Sequence, residues 1–126
     1  MKLTADATPA EIAGEVLDAI LATPAAFDMS SWAALGLETE LRPEADPVCG
    51  TTLCAAGWVA HLTGWTIIQT VNDRGGQRTV LAERDGVTRS ISLVAEEALG
   101  LTGEDAFWIE TEEDAIHELR KIAGRI

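Results

Sequence analysis

The residues best suited to chemistry are Cys49, Cys54, His61 and His117, the chain's only thiols and imidazoles. Together they make a two-Cys, two-His set of the kind that holds zinc tetrahedrally. Their spacing argues against that use. With Cys54 and His61 on one helix, seven residues at ~1.5 Å rise part their backbones by about 10 Å, whereas helical ligand pairs sit one turn apart. A thiol nucleophile is the second chemistry, since Cys54 falls at the start of a helix-like segment, where free backbone amides favour the thiolate. His61 lies too far along that helix to take the thiol proton, so a cysteine-dependent hydrolase or transferase would draw its base from His117. Against both stands a plainer use of the thiols as reduced, buried packing groups.

Tryptophan and arginine offer a different chemistry, that of recognition. Trp32, Trp58, Trp65 and Trp108 are four of six aromatics, and such rings ordinarily fill a small domain's core. Trp58 and Trp108 are the two least firmly assigned to the interior. Exposed beside Arg84 and Arg89, they would anchor a protein interface, where Trp and Arg are over-represented. The charge layout singles out the same stretch. Net charge is −12, with nine acids in residues 1–48 and nine in 96–126, while residues 49–95 hold Asp73, Glu83 and Asp85 against Arg74, Arg78, Arg84 and Arg89. So acidic a surface repels phosphate backbones, which argues against a nucleic-acid partner.

The elements that position these residues follow from capping signals and periodicity. A 126-residue chain, 47% apolar and 24% charged, has the size and composition of one globular domain, spanning 1–126. Thr8-Pro9-Ala10-Glu11 reads as a capping box that opens a helix over 9–22, with Ile12, Val16, Leu17, Ile20 and Leu21 as its apolar stripe. A short helix is expected over 29–35 with Asp28 as cap and Gly36 as stop, then a proline-containing loop to residue 48. Thr51 or Thr52 caps a central helix over 52–63. Gly57 inside it costs about 1 kcal/mol relative to alanine, which implies another backbone pressed close against it.

The pattern then turns to strands. Trp65–Val71 is rich in β-branched residues, Gln77–Arg84 reads as a second strand, and Asp85-Gly86 is a two-residue hairpin turn that pairs Arg84 with Val87, Ala82 with Arg89 and Val80 with Ile91. A three-stranded antiparallel meander over 66–91 results. Helices over 92–123 close the chain: Ser92 caps one ending at Gly100, Thr102 with Asp105 caps a short turn through Trp108, and Thr111 with Asp114 caps the last, with Ala115, Leu119 and Ile122 buried. The expectation is an α+β, mostly helical single domain with a small meander.

Two strings in this layout, Phe27-Asp28-Met29 with Trp32 and Cys49-Gly50-Thr51 through Cys54 to Ala56-Gly57-Trp58, are followed by Leu99-Gly100-Leu101-Thr102. In these the chain resembles a group of small uncharacterised proteins of bacteria and actinobacterial phages, over roughly residues 25 to 107. For a phage-encoded member the resemblance implies an accessory protein that binds a host protein inside the host cell. It brings no functional residues with it.

The amino terminus lacks the apolar core of a secretory signal, and no apolar run approaches the ~18 residues of a membrane helix. A cytoplasmic protein with reduced thiols is expected. The reading favoured by the residues is an acidic cytoplasmic binding module with a protein partner, with no cofactor and no role for nucleic acid or membrane. Its contacts would be Arg84, Arg89, Trp58 and Trp108. The alternatives are the cysteine enzyme using Cys54 with His117, and structural zinc on Cys49, Cys54, His61 and His117.

Overall fold

The computed structural model describes residues 7–29, 32–35, 39–47, 51–71, 78–101 and 111–125. Helix α1 (Pro9–Ala22) begins as its sequence dictates. The Thr8 hydroxyl accepts from the Glu11 amide at 3.2 Å and the Glu11 carboxylate accepts from the Thr8 amide at 3.2 Å, which satisfies two amides that the first turn leaves free. Ile12, Val16, Leu17 and Ile20 are buried, while Leu21 is exposed. The helix ends at Ala22, and Pro24–Ala26 form one 3-10 turn.

The expected helix over 29–35 does not form. Ala33–Ala34 is instead a short strand, β1, and its partner lies beyond a second two-residue strand, β2 (Glu40–Leu41), in β3 (Thr52–Leu53). The reason is tertiary. The Asp28 amide donates to the Leu53 carbonyl at 3.1 Å, the Cys54 amide donates to the Trp32 carbonyl at 3.2 Å, and Phe27 bridges Leu53 in parallel, so β3 draws the backbone on both sides into pairing. Long-range backbone bonds of this kind override a weak local helix signal.

The central helix α2 (Ala55–Leu62) therefore starts three residues later than expected, because Thr52 is spent in β3. Its cap is Cys54. Sulfur caps it twice: the Cys54 Sγ accepts from the Gly57 amide at 3.4 Å, and the Met29 Sδ accepts from the Ala55 amide at 3.3 Å. Ala55 through His61 are all buried. Gly57 sits where the sequence required it, for a Cβ there would lie 2.6 Å from the Trp32 carbonyl oxygen. The Trp58 indole completes the joint by donating to the Ala26 carbonyl at 3.3 Å. The Phe27–Met29 string and the Thr51–Trp58 string thus form one interlocked unit.

The second sheet has four strands in the order β2-β4-β5-β6, all antiparallel, with β4 at Thr66–Val71, β5 at Arg78–Arg84 and β6 at Val87–Arg89. The three-stranded meander is corrected by β2, which pairs Glu40 with Ile68 and Leu41 with Ile67. A two-residue strand carries no periodicity to be read. At the hairpin, Ala82 faces Arg89 and Arg84 faces Val87 as expected, and Asp85 and Gly86 take φ of 52° and 80°, the primed turn that suits a two-residue loop. Val80 does not reach Ile91, because Ile91 already opens a helix.

That helix, α3 (Ile91–Leu99), is capped by Ser90, not Ser92: the Ser90 hydroxyl accepts from the Leu93 amide at 3.3 Å. Gly100 ends it in the left-handed region at φ 67°. The turn expected over 102–108 lies outside the described residues. Helix α4 (Glu112–Ile122) carries its Thr111 cap, with Ala115 and Leu119 buried. Helix α2 packs on α1, α3 and β4, while α4 packs on α1. Among the described residues four helices and two small antiparallel sheets make an α+β fold, and helix accounts for less than half of them, so they are not mostly helical as expected.

Candidate functional site

Cys54, His61 and His117 have definite places among the described residues, and they do not converge. Cys54 is 1% exposed at the buried start of α2, with its sulfur engaged by the Gly57 amide. Burial pushes its thiol up to about 11, with the Asp28 charge adding to the effect, and the amides of Gly57, Ala56 and Cys54 itself offset only part of this. Desolvation outweighs the helix start. His117 is exposed on α4 and makes no hydrogen bond to that sulfur.

His61 is 3% exposed, stands edge-on to Trp58 with ring centroids 5.8 Å apart, and has no hydrogen-bond partner for its Nδ1 among the described residues. Burial lowers its pKa, opposed by the Asp46 charge and a backbone hydrogen bond with Ala45. Among the described residues no three His, Cys, Asp or Glu side chains gather as a metal site. Cys49 and Trp108 lie outside them. Trp58, offered by the sequence as an exposed anchor, is 3% exposed and bonded to Ala26, so it packs the core.

Arg84 and Arg89 are brought together. They line a cavity of about 600 Å³ walled by Pro9 and Ile12 of α1, Thr63 and Trp65 after α2, and Val94, Glu97 and Ala98 of α3. Arg84 projects from the end of β5, with its guanidinium carbon 4.5 Å from the Trp65 ring centroid and its Nη1 donating to the Thr63 carbonyl at 3.2 Å. The cation thus faces a π-cloud and caps the carbonyl end of α2. Arg89, opposite Ala82 on β6, instead spends its charge locally. Both its Nη atoms donate to the Glu97 carboxylate, which holds Glu97 below the usual carboxylate range and raises Arg89.

Comparison with models of protein families, with curated proteins and with solved structures finds no match. The site must speak for itself. Trp65 is the groove residue that sequence reasoning assigned only to packing, and a signal for it existed. Thr66 pairs with Glu83 across β4 and β5, so the next step of the register sets Trp65 beside Arg84. The α1 and α3 walls carried no such signal.

Proposed function

We propose that this chain is a non-catalytic binding module whose groove, between α1, the β5–β6 hairpin and α3, receives a segment of a protein partner. The observation that carries the reading is Arg84, held over Trp65 at the groove and paired with no carboxylate among the described residues. Arginine and tryptophan side by side are the residue types on which interface energy concentrates. The buried, protonated Cys54 thiol supports the same reading, since a nucleophile needs thiolate character and access. A net charge of −12 favours a protein partner over a polyphosphate one. The resemblance of the two strings to bacterial and phage proteins suits a partner in a bacterial cytoplasm.

The test is site-specific photo-cross-linking in bacterial cells, with the reactive amino acid at Ala98 in the groove and, as control, at exposed Glu112 on α4. A discrete protein adduct is expected from position 98 only, and it should disappear when Arg84 and Arg89 are both changed to glutamate. Equal adducts at both positions, or capture indifferent to the charge reversal, would refute the groove as the contact surface.

A further inference from the structure

We infer that the segment 42–47, which follows β2, is a strap that acid releases from α2, because His61 beneath it does not stay covered once its ring is protonated. The ring is 3% exposed in the last turn of α2, and its Nδ1 has no hydrogen-bond partner among the described residues. On one side it meets the Trp58 indole edge-on, with centroids 5.8 Å apart. The strap touches it through the backbone hydrogen bond with Ala45 and brings the Asp46 charge near. A neutral imidazole carries one nitrogen without a hydrogen, and the bare Nδ1 suits that role. Protonation turns Nδ1 into a donor with nothing to receive it, and a buried cation short of a partner is among the costliest groups a core can hold.

Two responses would relieve the imidazolium: Asp46 closes on it under the strap, or the strap leaves and water enters. The surroundings favour the second. Burial outweighs both Asp46 and Ala45 at the covered ring, and Asp46 is itself exposed. Helices α1 and α3 and strands β3 and β4 also pack on α2, yet among the described residues they bring no charge that acts on the ring. Cys54, at the cap of α2 seven residues earlier, stays protonated. Of everything around His61 the strap is held most weakly. None of its residues is buried, its backbone bond among the described residues is internal, from the Ala45 amide to the Arg42 carbonyl at 3.0 Å, and its ion pair, Arg42 with Glu40, is exposed. Val59 and Ala60 of α2 are by contrast fully buried. A segment with few buried groups and no backbone bonds to its neighbours opens at far less cost than an inner helix. Lifting it hydrates the imidazolium and leaves the core in place, which makes the surface at the end of α2 depend on pH.

The experiment follows the full chain by NMR between about pH 7.5 and about pH 5, a range that brackets an ordinary imidazole, with a neutral gadolinium chelate in solution to report which protons meet solvent. Expected is a several-fold rise in the relaxation of the His61 ring protons as the ring titrates, with a midpoint below about 6.5 and with shifts of the Ala45 and Asp46 amides at the same midpoint. Leu17, 1% exposed, should stay shielded throughout. In His61→Phe the substituted ring should remain shielded at both ends of the range. Asp46→Asn separates the two fates of the imidazolium. A ring that leaves the cover leaves Asp46 as well, so the midpoint should hold; a ring kept under the strap by Asp46 would titrate at lower pH in that variant. A ring that titrates while shielded or does not titrate by pH 5, a midpoint lowered in Asp46→Asn, release in His61→Phe, or exposure of Leu17 together with the ring would overturn the inference. If His61→Phe does not fold, the unsubstituted chain and Asp46→Asn decide it.

Discussion

Cys54 looks reactive by position and is inert by environment. At a helix start the local dipole lowers a thiol's pKa, yet here the sulfur is sealed in the core and is pushed up to about 11, so only about 1 in 10⁴ molecules carries the thiolate at pH 7. Native protein treated with iodoacetamide at neutral pH should therefore show slow modification of the Cys54 peptide by mass spectrometry, and fast modification only after denaturation. Rapid native labelling would restore the cysteine enzyme. His61 makes the second residue-scale prediction. Burial holds it neutral and lowers its pKa in the folded chain, whereas the unfolded chain takes up that proton near the ordinary value of about 6.5. Below that pH the unfolded state binds more protons, so the stability that His61 contributes is present at pH 7 and lost as pH falls. Denaturant unfolding between pH 7 and 5 should show a steeper decline for the native chain than for His61→Phe, which keeps an aromatic edge on Trp58. Parallel declines would show that His61 does not titrate with folding.

At the scale of elements, the joint between the two sequence strings decides the fold more than any helix signal does. Gly57 is its tightest point. Alanine there gains about 1 kcal/mol of helix propensity, but its Cβ meets the Trp32 carbonyl oxygen at 2.6 Å, and overpacking against backbone costs about 1–3 kcal/mol. The second effect wins, so Gly57→Ala should lower the urea midpoint with the m-value unchanged; a raised midpoint would mean that the Trp32 backbone moves aside freely. The same joint marks where sequence reading works and where it stops. Helix α1, the Asp85-Gly86 register and the Thr111 cap were legible because their determinants are local: a capping box, a turn dipeptide, a hydroxyl three residues before the amide that donates to it. Strands β1, β2 and β3 were not, for each is two residues long and exists only through a distant partner. The groove divides likewise. Arg84 and Arg89 could be found from the hairpin, while Ile12, Trp65 and Val94 join them only when three separate elements pack.

For the whole molecule, charge is the dominant unspent term. Twenty-one acids against nine Lys and Arg leave −12, and the ion pairs among the described residues are exposed ones of the kind that contribute little. Arg125 with Asp18 is the longest-range of them, reaching across Gly14 to tie the end of the chain to α1, yet α4 is seated by Ala115 and Leu119 in the core. Leu119→Ala should therefore cost about 2–5 kcal/mol, while Arg125→Ala should barely move the unfolding midpoint. The repulsion among acids, by contrast, acts over the entire surface and is relieved on unfolding. Raising NaCl from ~10 mM to ~150 mM shortens the screening length from ~30 Å to ~8 Å, which weakens both the repulsion and the pairs. Because the net term exceeds four exposed pairs, the melting temperature measured by calorimetry should rise with salt. A fall would mean that Arg89–Glu97 and Arg125–Asp18 carry more of the fold than their exposure allows, and would move part of the source of stability from the apolar core to the surface ion pairs.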